Sequence, residues 1–164
     1  MTSFAQKNIR GIAGAGTLAG LTGGLAEIVW IWIYGVISHI DSASVAHGVS
    51  RAVGIETLAD PVVLGIAVHM TLAGVLGIAL AFAMQPLLGR WGRGQLVTYA
   101  TLVATLAMVW AVNFFVVLPV LSPGFVGLVP YEVSLLSKIL FGVSAAAVLG
   151  IRADAMPYAR RTTV

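Results

Sequence analysis

The chain has 164 residues, 59% of them apolar and only 9% charged, with no cysteine and a formal net charge of +3. An ordinary soluble domain carries about 25% charged residues. The polar surface that would cover a soluble fold is therefore missing, and disulfides, thiolate metal sites and cysteine nucleophiles are excluded.

The apolar residues fall into four blocks, at 11–37, 61–88, 95–118 and 131–151. Each is long enough to cross the ~30 Å hydrocarbon layer as a helix, which takes about 20 residues. A helix is also how a single segment satisfies its own backbone polar groups in lipid. The expected fold class is thus an all-α integral membrane protein, one four-transmembrane-helix bundle over residues 1–164.

Lys7 and Arg10 precede the first block in the manner of a signal peptide. The block is much longer than the usual hydrophobic region of about 7–15 residues, so it reads as a retained span. Lys7, Arg10, Arg90, Arg93, Arg152, Arg160 and Arg161 fall on one side of alternating spans, while Arg51 and Lys138 lie on or near the other. This bias puts both termini and the Gly89–Gly94 turn in the cytoplasm. The expected location is a cell membrane, the bacterial inner membrane in the first instance. Basic residues at block ends are orientation signals and headgroup contacts, so no nucleic-acid partner is expected. The short turn makes the second and third spans antiparallel neighbours.

The connection 38–60 reads as a short interfacial helix on the outer membrane surface. Asp41 or Ser42 can cap it, Val45, Val49 and Val53 share a face opposite His47 and Arg51, and Gly54 can end it. The connection 119–130 holds three prolines and no charge, with Phe125, Val126, Leu128 and Val129 along it. Such a segment is expected to fold back over the mouth of the bundle.

Ionisable residues cost about 2.5–3.5 kcal/mol each at the centre of a membrane span on insertion scales. Glu27, His69 and Lys138 nevertheless lie in three spans, and Asn113 lies in the remaining one. At 1.5 Å per residue, Glu27 is roughly 15 Å and His69 roughly 12 Å from the outer ends of their helices. Each ionisable residue continues a stripe of small residues: Gly16, Gly20 and Gly24 before Glu27; Gly65, Ala73 and Gly77 around His69; Ser134, Gly142, Ala146 and Gly150 around Lys138. Small residues at this spacing are where membrane helices approach closely, so the polar residues are expected to face a common interior.

Two uses of that cluster follow. As a structural clamp, Glu27 pairs with Lys138, and His69 with Asn113 or a backbone carbonyl; the protein is then a non-catalytic subunit or assembly partner. As a ligand or proton site, Glu27, His69, Asn113 and Lys138 line an outward-facing cavity of a small transporter or binding protein. A third reading, a metal- or haem-dependent redox protein, draws on His39, His47, His69 and Glu27 as a two-histidine, one-carboxylate set. Their spacing matches no established ligand motif, and no cofactor is indicated. Trp30, Trp32, Tyr34, Trp91 and Tyr131 stand where an interfacial aromatic belt is expected, and Trp110 is one turn from Asn113. Gln85 and Pro86 are expected to close the second helix, and Tyr158 to sit at the headgroups. No catalytic residue is expected, because the nucleophile, phosphate-loop and paired-carboxylate patterns are all missing. The expected partners are the lipid bilayer and either further copies of the chain or a larger membrane complex.

Ala26-Glu27-Ile28 in the first of four helices resembles the small multidrug resistance transporters, whose first-helix glutamate exchanges protons for cations. The match covers these three residues. The resemblance implies an exchange role for Glu27, and the chain departs from that family in its greater length, its long 38–60 connection and Lys138, which would repel a cation.

Overall fold

A computed structural model describes residues 2–91 and 95–161, with side chains for residues 9–84, 96–97 and 99–150. Among the described residues all the regular secondary structure is helical, with no strand. The helices are α1 (Thr2–Ser38), α2 (Ser42–Ala52), α3 (Pro61–Trp91), α4 (Gln95–Val112), α5 (Leu118–Leu121), α6 (Pro123–Val126) and α7 (Tyr131–Arg161). A π-helical turn, Asn113–Val117, joins α4 to α5.

Four stretches are long and apolar enough to cross a membrane: Ile9–Ser38, Pro61–Met84, Tyr99–Leu121 and Tyr131–Gly150. They agree with the four expected blocks to within a few residues. The side chains of Lys7, Gln85, Pro86, Arg90, Trp91, Arg93, Arg152, Tyr158, Arg160 and Arg161 lie outside the described residues, as does the backbone of 92–94.

Local chemistry sets the helix ends. His39, at φ 56°, takes the left-handed conformation that stops α1, and the Ile40 N–H donates back to the Gly35 carbonyl at 3.1 Å. Asp41 caps α2, accepting from the Ala43 N–H at 3.0 Å and the Ser44 hydroxyl at 3.1 Å. Gly54, at φ 72°, ends it, with the Ile55 N–H reaching the Ser50 carbonyl at 3.1 Å. This is the reversal that glycine permits just beyond a helix. At the start of α3, Asp60 accepts from the Val62 and Val63 N–H groups at 2.9 and 3.0 Å, and Pro61 takes the first position, where its missing N–H is not needed.

The long helices form the sequence α3–α1–α7–α4, each antiparallel to the next. Consecutive in the chain, α3 and α4 were expected to be neighbours; among the described residues they share no extended backbone contact. The reason is steric. Close approach is available where small residues face each other, and those faces belong to α1 with α3 and to α7 with α1 and α4. A Cβ on Gly16 would lie 2.6 Å from the Ile78 Cα, one on Gly20 would strike the Ala73 carbonyl, and one on Gly77 would strike the Gly16 carbonyl and the Gly20 backbone. Gly24 faces the Ala73 side chain, Gly142 faces Val103 of α4, and Ala146 is fully buried. Gly65 turns elsewhere, against Ala46 of α2.

The core at the centre of this arrangement mixes alanines with larger apolar side chains. Ala15, Ala19, Ala73, Ala145 and Ala146 are buried with Leu102, Leu106 and Phe141. A second cluster, Trp110, Phe114 and Leu118, is covered by Phe125 and Val126, so the proline-rich connection does fold back onto the helices. α2 packs on α3 through Ala46, and its Ser50 is buried; of the valines expected on one face, Val45 and Val49 are half-buried and Val53, just past the helix, is 49% exposed. Only a small side chain fits where the α2 backbone meets Gly65.

Candidate functional site

Glu27 sits on the α1 face shared by α3 and α7 and is 3% exposed. Antiparallel packing of α1 on α7 sets its partners: Trp30 Nε1 donates to the Val133 carbonyl at 3.0 Å, and Gly23 lies under the Phe141 ring. Between these two contacts, Glu27 Oε1 is 2.6 Å from Lys138 Nζ and accepts from the Ser137 hydroxyl at 3.2 Å. The ammonium also stands 5.9 Å from the centre of the Phe141 ring, within the range of a cation–π attraction.

From α3, His69 Nε2 approaches both Glu27 Oε2 at 3.5 Å and the Gly24 carbonyl at 3.3 Å. Gly24 is what admits the close approach of α3 here, since a Cβ there would lie 2.6 Å from the Ala73 Cβ, while at 3.7 Å from Nε2 it would only touch the imidazole. Oε2 is buried without a hydrogen-bond partner. The carboxylate thus has one saturated oxygen, facing α7, and one open oxygen, facing α3.

A second polar chain adjoins the first on α7. Trp110 Nε1 of α4 donates to Ser134 Oγ at 2.7 Å, Ser134 donates to the Tyr131 carbonyl at 3.2 Å, and Ser137 also approaches the Ser134 carbonyl at 2.8 Å. Ser134, Ser137, Lys138 and Phe141 share one face of α7 at helical spacing. Ser137 was not singled out from the sequence. Its position three residues after Ser134 and beside Lys138 was the available signal.

Three of the four expected site residues come together: Glu27, His69 and Lys138. Asn113 does not join them. It opens the π-helical turn, where its carbonyl accepts from the Leu118 N–H, and its side chain has no hydrogen bond to Glu27, His69 or Lys138. The continuation of α4 packs against α7, whereas Glu27 and His69 lie across α7 on α1 and α3.

The proposed metal set does not form. Among the described residues no three His, Asp or Glu side chains gather as metal ligands. His39 terminates α1 and is exposed, and His47 lies on α2 beside a surface cavity. Neither joins His69 and Glu27. The donors present at the cluster, one carboxylate, one imidazole and an ammonium, suit charge compensation better than cation coordination.

Compared with known proteins, the chain matches no family model, no curated protein and no solved structure. The resemblance to the small multidrug resistance transporters therefore stands on Ala26, Glu27 and Ile28 alone.

Proposed function

We propose that this is a multi-pass membrane protein in which the Glu27–Lys138 pair clamps α1 to α7, with His69 of α3 set beside the same carboxylate, and which acts as a non-catalytic subunit or assembly partner. Its exposed surface supports the membrane reading. Leu25, Trp32, Leu72, Val75, Met108 and Phe115 are each more than half exposed, along helices that a soluble monomer would have to cover. In lipid these faces need no cover, and the small-residue seams act as membrane packing motifs. The basic residues orient both termini toward the cytoplasm, which places the cluster in the outer half of the bilayer and α2 along the outer interface.

The observation that carries the clamp is the shared Glu27 Oε1. Lys138 and Ser137 both address it, so the buried charge is neutralised in place, as intramembrane ionisable residues are as a rule. Neutral surroundings, one-sided packing of α3 and α4, and broad apolar faces suit a chain that docks beside others in a membrane.

A second reading, a proton-coupled carrier or ligand-binding protein, is favoured by the open Glu27 Oε2 beside His69. The two readings separate on a Glu27→Gln, Lys138→Met double variant. The clamp account expects the double variant to be recovered from membranes in the same native assembly, larger than the 17.0 kDa chain, as the parent. A parent that purifies as a single chain, and whose proton-driven uptake in vesicles is abolished by Glu27→Gln with stability retained, would overturn it. Orientation is tested separately. The chain has no cysteine, so single cysteines at Gly92 and Gly54 report unambiguously, and only Gly54 is expected to react from outside intact cells.

A further inference from the structure

A cavity of about 210 Å³ opens between α2 and the connection that follows α6. Ser44, His47, Gly48 and Arg51 line it on the helix side and Leu128 on the other. The four α2 residues are spaced i, i+3, i+4 and i+7, so they form one face of the helix.

The two walls of the cavity meet at Gly48. A Cβ on Gly48 would lie 2.5 Å from Leu128 Cδ1 and 2.9 Å from Phe125 Cδ2, so the connection is packed against α2 at that glycine. Phe125 is in turn fixed on the Trp110 cluster, and Val129 is buried. On the other flank, α2 is anchored to α3 through Ala46 and Gly65. Both walls are therefore attached to the long helices.

The lining is cationic and rich in donors. Arg51 is always charged and forms no ion pair among the described residues. His47 adds a ring N–H. Ser44 adds a hydroxyl, which here donates to Asp41 Oδ2 and can rotate to another oxygen. Asp41, three residues before Ser44, is occupied as the cap of α2; Glu56, five residues after Arg51, forms no ion pair with it among the described residues, and no acidic residue lines the cavity. Leu128 gives one wall an apolar character. A guanidinium, an imidazole and a hydroxyl on one face, opposite a leucine, match a tetrahedral oxyanion attached to a short carbon chain.

The geometry points to a phosphate-binding site at Ser44, His47 and Arg51, which takes the phosphate of a lipid headgroup or of a soluble phosphate ester. The lipid source rests on the membrane reading above, which sets α2 at headgroup level; the phosphate chemistry does not.

The test uses the full-length protein in a phosphate-free detergent, with binding read by native mass spectrometry and by thermal shift. The probes are dihexanoyl phosphatidic acid, dihexanoylglycerol and inorganic phosphate. Phosphatidic acid should bind and dihexanoylglycerol should not. The Arg51→Gln, His47→Gln variant should bind at least about tenfold more weakly, as loss of two charge-assisted hydrogen bonds implies, while its own melting temperature stays near the parent's. Arg51→Lys should keep part of the affinity. If inorganic phosphate binds alone and displaces phosphatidic acid, the source is a soluble phosphate; if it does neither, the source is lipid, and either result supports the site. Equal binding of dihexanoylglycerol, or undiminished binding by the folded double variant, overturns it. Failure of the membrane reading would show instead in the cysteine labelling, independently of these results.

Discussion

The α1–α3 seam and the Glu27 node lie side by side on the same helix and are specified in opposite ways. Along the seam, Gly16, Gly20 and Gly77 bring two backbones together, and there is no room for one further carbon. At the node, the contact is made by long side chains from α3 and α7 reaching a single carboxylate. The seam is defined by what is left out, the node by charges that have to be present together. An added atom should therefore break the first and a removed charge the second. The two also differ in reach, since the seam joins a pair of helices and the node joins three.

Removing one charge is the largest perturbation of that contrast. Lys138→Ala should destabilise the protein by about 3–5 kcal/mol, the range for breaking a buried pair and leaving its partner uncompensated. The expected readout is a much lower melting temperature in detergent, with little folded material recovered. Adding atoms at the seam comes next. Gly20→Val should cost about 1–3 kcal/mol through overpacking against the Ala73 carbonyl, whereas Val at Gly14, which has nothing within 4 Å, should be close to neutral. Equal effects at the two glycines in a thermal melt would remove the steric argument.

Smaller effects sharpen the boundaries of the node. Trp110→Phe keeps the aromatic packing and loses only the hydrogen bond to Ser134, so a loss of about 0.5–1.5 kcal/mol is expected. A loss as large as that of Lys138→Ala would mean that the serine chain is part of the clamp. At the edge of the fold, His39→Gly should be mildly stabilising, by up to about 1 kcal/mol, because the left-handed conformation at φ 56° suits glycine. A destabilised variant would assign His39 a contact beyond its role as a helix stop.

Much of this contrast was legible in the sequence. The block lengths fix the four long helices, and Asp41 and Gly54 mark both ends of α2 as their side-chain chemistry requires. The partnership of Glu27 with Lys138 follows from the cost of isolating either charge in an apolar surround. The rotation of each helix was harder to read. Helices that are apolar on all sides carry little signal for which face turns inward, so the sequence does not mark Ser137 as a partner of Glu27 and does not show that Asn113 faces away from the cluster. The order α3–α1–α7–α4 was hidden for a related reason. A short turn suggests that two helices are neighbours, but the fit between small residues on distant segments decides which pairs pack. His39 and His47 illustrate a third gap, because residue type alone does not distinguish a ligand from a helix stop or a surface donor.

The most direct test of the clamp is a double-mutant cycle on Glu27→Gln and Lys138→Met, followed by unfolding in detergent. The account predicts strong coupling: each single variant is severely destabilised, and the double variant, with neither charge left to compensate, recovers most of the lost stability. Additive losses, with the double variant less stable than either single one, would contradict it.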